Sequence, residues 1–319
     1  MCHAYRFLRK YAATHYMSMK VIVYGSHGWI GGQFLEVLRG ENVSFVESVA
    51  RADDINAVAT ELDREQPTHA VSFIGRTHGR IGDKVFPTID YLEEKGKLRD
   101  NVRDNLFSPL VLAMACKDRG IHYTYLGTGC IFTYDETHEY GDAGRGFSEE
   151  SVPNFFGSGY SVVKGYTDQL MHLFQADVLN LRIRMPITSK DHPRNFITKI
   201  ASYEKVCSVP NSMSVLDELL PCMVDLMRKK RTGTLNFTNP GLISHNEVLE
   251  MYRELVDPSF SWQNFSVEEQ DKVLAAGRSN NCLETSALEE LCPGVRSVKE
   301  AVRAALEGGN FLKRESSTR

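Results

Sequence analysis

KVIVYGSHGWIGGQFLEVLRG, residues Lys20–Gly40, is the stretch that decides the fold. A short β-branched run ends at Gly25, a turn holds Gly28 and Gly31, and an amphipathic run follows at helical spacing. Glycine suits such a turn because the backbone bends sharply and must approach a pyrophosphate with no Cβ in the way. The helix that follows would aim unpaired N–H groups at the phosphates. Gly25, Ser26, Gly28, Trp29, Ile30 and Gly31 are therefore expected to line a dinucleotide. A glycine triplet alone is weak evidence. The flanking strand and helix, with a second strand about twenty residues on, make it specific.

Outward from this unit, strands and helices alternate. Val43–Val49 reads as a second strand, Asp53–Glu65 as a helix and Ala70–Ile74 as a third strand. A helix over Tyr91–Asn105 continues to Arg119, and a buried strand follows in His122–Phe132. Residues 160–174 read as helix and Val178–Arg184 as strand. This rhythm predicts an α/β protein with a Rossmann-type doubly wound parallel sheet and right-handed crossovers. Past Pro186 the pattern loosens into loops up to Ser212, a helix over Val215–Arg231, a short strand at Thr234–Thr238 and a helix over His245–Leu255. The expected division is a nucleotide domain over 19–186 and a mainly substrate-binding C-terminal lobe over 187–312, some of whose segments return to the sheet. A tail occupies 313–319. Residues 1–18 read as a disordered leader, basic over its first 16 positions and without a secretory core.

The bulk properties exclude several classes. At 319 residues the chain fits one large α/β domain or a nucleotide domain with an added lobe. A net charge of −4, without a dense basic run, argues against nucleic acid. No apolar run approaches the ~18–20 residues that span a bilayer. Seven cysteines without CxxC or CxxH spacing suggest neither a disulfide framework nor a zinc site, so a reducing, cytoplasmic setting is expected. Cys116, Cys207, Cys222, Cys282 and Cys292 read as structural. His78, His122 and His245 lack metal-ligand spacing and read as packing or surface residues, so no metal is expected.

Arg51 stands at the end of the second strand, where an NADP binder places a cation for the 2′-phosphate. NADPH is favoured over NADH, although Asp53 could take a ribose hydroxyl instead. Tyr160 and Lys164 lie one helical turn apart on one face, and a nearby ammonium lowers a phenol's pKa towards working pH. Thr128 could hydrogen-bond a substrate carbonyl, and Asn105 either orients this relay or packs its helix.

The glycine loop, Thr128 and the YxxxK pair resemble the extended short-chain dehydrogenase/reductases that act on nucleotide sugars. Longer stretches narrow the resemblance: Thr128-Gly-Cys-Ile-Phe132, Pro153-Asn-Phe155, Leu181-Arg-Ile-Arg-Met-Pro-Ile187, Pro193-Arg-Asn-Phe-Ile-Thr-Lys-Ile200 and Arg278-Ser-Asn-Asn281. These are similar to the bifunctional UDP-4-keto-6-deoxyglucose 3,5-epimerase/4-reductases of plants and some large DNA viruses, over about residues 19–310. Phe73-Ile-Gly-Arg-Thr-His-Gly79 looks closer to the viral form. The resemblance implies NADPH near Ile74, Gly75, Met185 and Ile187, and Cys130 with Lys199 as the acid/base pair that inverts C3 and C5. Arg76, Thr128, Asn154, Arg194, Asn195 and Arg278 are candidate substrate contacts. It also implies UDP-4-keto-6-deoxyglucose supplied by a separate 4,6-dehydratase, and a homodimer is frequent in the superfamily. Two other readings stay open: a reductase without epimerase activity, on a UDP- or dTDP-linked sugar, and a non-catalytic dinucleotide sensor.

Overall fold

The computed structural model describes residues 19–313, so the expected leader 1–18 and the tail beyond Lys313 fall outside the described residues. The chain runs β1 (Lys20–Tyr24), α1 (Trp29–Gly40), β2 (Ser44–Glu47), α2 (Ile55–Glu65) and β3 (His69–Ser72). A hairpin, β4 (Gly79–Ile81) and β5 (Lys84–Phe86), leads to α3 (Leu98–Val102), a π-helical turn over Arg103–Phe107 and α4 (Ser108–Lys117). Then come β6 (His122–Thr128), α5 (Gly159–His172) and β7 (Val178–Ile183). The remainder comprises α6 (Phe196–Ile200), β8 (Lys205–Val206), α7 (Leu216–Arg228), β9 (Gly233–Asn236), α8 (His245–Leu255) and β10 (Gln263–Asn264). It ends with α9 (Val267–Val273), α10 (Ser286–Leu291) and α11 (Val298–Glu307).

Six strands form one parallel sheet in the order β2-β1-β3-β6-β7-β9. Its inner strands β3, β6 and β7 are buried along their whole length, and β1 from Val21 on, as helices on both sides require. Val21, Val23 and Leu181 pack with α1 and α7, while Ile22, Ala70 and Tyr123 pack with α2 and α4. The direction of winding reverses at β1, so the crevice between β1 and β3 opens at their carboxyl ends, where such sheets bind ligands.

A break at residue 186 does not divide the chain cleanly. α7 and β9 come back to the sheet because their apolar side chains complete its outer core, with Leu219, Met223 and Leu235 fully covered there. The other C-terminal helices, α8 and α11, build a separate core around Ile197, Ile243 and Val302. Cys222 and Cys292, read from sequence as separate structural thiols, are joined as a disulfide that ties α7 to the end of α10, with Cα atoms 6.3 Å apart. No CxxC spacing announces it, since 70 residues separate the two. No helix among the described residues is long and apolar enough to cross a membrane.

α5 is seated on the sheet by charge. Asp168 accepts from Arg182 Nη2 at 2.6 Å, Arg182 Nε at 2.9 Å and Asn180 Nδ2 at 2.9 Å, and all three side chains are buried.

At the opposite end of the sheet, His69 and His122 sit opposite each other on β3 and β6 with rings 5.2 Å apart. Nε2 of His69 donates to the Met227 carbonyl and Nε2 of His122 to that of Arg231, so both rings staple the end of α7 to the sheet. Burial and the second imidazole push the His69 pKa down to about 4. The folded state therefore resists a proton that the unfolded chain accepts below its ordinary value near 6.5. Stability should fall as pH drops from 6.5 towards 4, and His69→Gln, which keeps a donor to Met227, should recover about 2 kcal/mol of that loss. Parallel pH profiles of denaturant unfolding for the two proteins would refute this.

Candidate active site

One cleft of about 1210 Å³ runs over the carboxyl ends of β1, β3, β6 and β7 and under the C-terminal lobe. Its first wall is the glycine loop. Gly25 has φ of +78°, which side chains rarely tolerate. A Cβ on Gly31 would collide with the Gly25 carbonyl, so this glycine lets α1 start against the turn. Gly28 caps α1 without a side chain, leaving the first N–H groups open to a phosphate. Trp29, Ile30, Ile74 and Gly75 line the same groove. Ser26 is buried and its side chain does not line the cleft. These features fit a dinucleotide pyrophosphate.

Arg51 is exposed at the rim and pairs with Asp53 at 2.9 Å. Asp54 is spent as the N-cap of α2, accepting from Asn56 and Ala57. A second cation, Arg103, reaches the same rim from the π turn and comes within 3.9 Å of Asp53. Sequence reading missed it because no local pattern marks a π turn. That turn also aims Asn105, which accepts from the backbone N–H of Arg76 and donates to its carbonyl at 2.9 Å each. Thr167 of α5 donates to the Asn105 carbonyl at 2.7 Å, so Asn105 clamps the loop after β3 to the catalytic helix. Arg76 itself is ion-paired with Asp104 and lines the cleft.

The chemistry gathers where β6 ends. Thr128 Oγ1 accepts the Cys130 N–H at 3.1 Å, and Thr128 lines the cleft beside Tyr160. Ser161, in the first turn of α5, donates to the Cys130 carbonyl at 2.8 Å. Thr128, Cys130, Tyr160 and Lys164 thus share one wall of the cleft. Burial and the neighbouring thiol hold the Tyr160 phenol above its ordinary range. This departs from the expectation that Lys164 lowers it: the Lys164 ammonium instead donates to Tyr125, a buried phenol on β6. Burial pulls Lys164 down to about 8, against the opposing pull of Asp168 and Cys130. Across the cleft, α6 presents Lys199, lowered from its ordinary range by burial and by Arg194 and Arg278.

Other sequence candidates separate. Arg194 lines the cleft beside His78, whose pKa burial and three nearby cations depress to about 4. His78 was read as packing or surface, yet it belongs to the site, and no spacing signalled it. Arg278 lines the cleft too, held by Asp90 at 2.5 Å. Asn154 does not: it is a clamp, accepting from the Thr133 N–H and donating to the Thr133 carbonyl and to Asp135. Asn195 is fully buried as the N-cap of α6 and donates to the carbonyls of Thr188 and Lys190. Ile187 is likewise buried in the lobe core, bonded through its backbone to Ser214 and Leu216. Met185 does line the cleft, with φ of +41°, a strained value for a side chain of this kind.

The glycine turn at the winding reversal and the Thr128–Tyr160–Lys164 wall define a nicotinamide-dinucleotide enzyme of the short-chain dehydrogenase/reductase type. The chain is 50% identical to the L780 UDP-rhamnose synthase of Acanthamoeba polyphaga mimivirus, whose crystal structure superposes with a TM-score of 0.86 over 91% of this chain and 99% of that one. It is 42% identical to a bifunctional dTDP-4-dehydrorhamnose 3,5-epimerase/dTDP-4-dehydrorhamnose reductase of Arabidopsis thaliana, over 89% of this chain and 91% of the plant protein. An NADP-bound dTDP-4-dehydrorhamnose reductase from Bacillus anthracis shares the fold at 18% identity, with a TM-score of 0.72 over 90% of this chain and 98% of that one. No family model matches the sequence. The chain belongs to the family of bifunctional 3,5-epimerase/4-reductases that form rhamnose nucleotides.

Gly31→Ala should weaken binding of a reduced nicotinamide dinucleotide at least about tenfold, because the added methyl forces α1 away from the phosphate turn. Fluorescence titration measures it, and unchanged affinity would place the pyrophosphate elsewhere.

Proposed function

We propose that this protein converts UDP-4-keto-6-deoxy-D-glucose into UDP-L-rhamnose by inverting C3 and C5 and then reducing the C4 ketone with NADPH. The observation that carries this reading is a thiol and a phenol bracketed by Thr128 on one wall, with Lys199 on the other wall of the same cleft. A ketone at C4 acidifies the hydrogens on both neighbouring carbons. In a gluco-configured ring these two hydrogens lie on one face, so one base and one opposed acid serve both inversions. Cys130 and Lys199 are that pair. Thr128 and Tyr160 hold the enolate oxygen that forms at C4.

NADPH, when bound, supplies the hydride for C4. Tyr160 then gives its proton to the oxygen, a role that suits a phenol held above its ordinary pKa. Lys164 fixes the position of the cofactor ribose and supports the tyrosine. Arg51, free to leave Asp53, takes the 2′-phosphate, with Arg103 close enough to add a second cation. Arg194 and Arg278 face the diphosphate. A 4,6-dehydratase supplies the ketone; the name of a 41%-identical Arabidopsis thaliana protein joins such an activity to the epimerase and reductase in one chain, of which this chain matches 42%.

Arg51→Ala should raise the KM for NADPH about tenfold or more and leave that for NADH nearly unchanged. Equal changes would remove Arg51 from cofactor choice. Cys130→Ser should abolish deuterium wash-in at C3 and C5 of the keto sugar, read by NMR in D2O, while NADPH still binds. Undiminished wash-in would leave a reductase acting on a sugar inverted elsewhere.

A further inference from the structure

Arg184 has no part in the steps above, yet it is 1% exposed. Nη1 donates to the Gly129 carbonyl and to Ser279 Oγ, both at 3.0 Å. Nη2 donates to Asn211 Oδ1 at 2.6 Å and to the Ser279 carbonyl at 3.0 Å, and Nε lies 3.4 Å from the Ser212 carbonyl. Every acceptor is neutral. Among the described residues, no carboxylate lies within 4.0 Å of the guanidinium; Arg182, two residues earlier, holds Asp168. A buried cation without a counter-ion is costly, and the cost falls if an anion forms beside it.

The Gly129 carbonyl that Arg184 grips immediately precedes Cys130, and both residues border the cleft. Asn281 donates to the same carbonyl and to that of Phe132 at 2.9 Å, so the turn bearing the thiol is held on both sides. The ionisable groups beside Cys130 are Tyr160 and Lys164 of α5, Tyr91 before α3 and Arg184 itself, while Lys199 of α6 lines the same cleft. Beside Arg184 also lie the phenol of Tyr134, the buried thiol of Cys282 and the imidazole of His245. Burial pushes Tyr134 and Cys282 up, as it does Tyr160, so all three stay neutral, and an imidazole can add only positive charge. The Cys130 thiol is left as the group that can supply the missing anion.

We propose that Arg184 is a positioning residue for epimerisation: its buried charge holds Cys130 as a thiolate, so that Cys130, and not Lys199, begins each inversion as the base. The proposal rests on the reading of Cys130 as an epimerisation residue. The thiolate takes the proton from C3 or C5 and becomes a thiol, and the C–H electron pair moves into an enolate at C4. The Lys199 ammonium returns a proton on the other face, the C4 carbonyl re-forms, and thiol and amine restore their protons by exchange with water.

The test is the pH dependence of Cys130 alkylation by iodoacetamide, followed by peptide mass spectrometry. In the unaltered protein the midpoint should lie below the free-thiol value of about 8.5; a midpoint at or above it overturns the proposal. Asn211→Asp gives Arg184 a carboxylate partner with almost no change of shape. It should raise the midpoint by about one unit or more, slow alkylation at pH 7 about tenfold and reduce deuterium wash-in by a similar factor. Arg184→Lys, which keeps the charge, should stay closer to the unaltered protein than Arg184→Gln. A folded Asn211→Asp protein with an unmoved midpoint also overturns the proposal. If Cys130→Ser keeps full wash-in while the midpoint responds as described, the role of Cys130 in epimerisation fails and the thiol's dependence on Arg184 stands.

Discussion

The buried pair of Asp168 and Arg182 is the constraint on which the site depends. Tyr160, Lys164 and Asp168 follow one another at single-turn intervals along α5, so whatever fixes Asp168 fixes the other two. Arg182 holds both carboxylate oxygens and Asn180 adds a third donor, all from one face of β7. Removing one partner of such a pair typically costs about 3–5 kcal/mol, because the other charge is left buried and unmatched. The rotation and the height of α5 over the sheet are therefore set by charge more than by apolar fit.

From that anchor the site is assembled by short, mostly neutral hydrogen bonds. Thr167 ties α5 to Asn105 of the π turn, whose amide holds the loop that follows β3, Ser161 ties α5 to the Cys130 turn, and Thr128 takes the N–H of Cys130. Thr128, Cys130, Tyr160, Lys164 and Lys199 thus all line one cleft, and under the proposed function one carbonyl would serve both the inversions and the reduction. A single ring need only turn or slide slightly within one cleft to be enolised and then reduced.

The sheet and its crevice were legible because their signals are local: glycine where only glycine fits, apolar runs of strand length, and a phenol and an amine one turn apart. What escaped depends on distant partners. Asn154 and Asn195 look like polar ligands in sequence, and only the fold shows their amides spent on a clamp and a cap. Arg182 and Arg184 alternate along a strand as a solvent-facing row would, yet both are buried, one paired with a carboxylate 14 residues away and the other held by neutral acceptors up to 95 residues away. β9 is too short to show whether it pairs with the main sheet, and its place follows from the apolar face of α7. His78 reaches the cleft from a loop whose course no periodicity records.

The π turn at Arg103–Phe107 puts the two halves of one long helix out of phase. An α-helix advances about 100° per residue, and the wider turn absorbs one residue more than an α turn does. Losing a single residue there would let the α pattern run through, and Arg103, Asp104 and Asn105 would swing about a quarter-turn away from the crevice while α4 kept its packing. In this protein, then, cofactor-side geometry is exposed to changes in chain length as much as to changes of side chain.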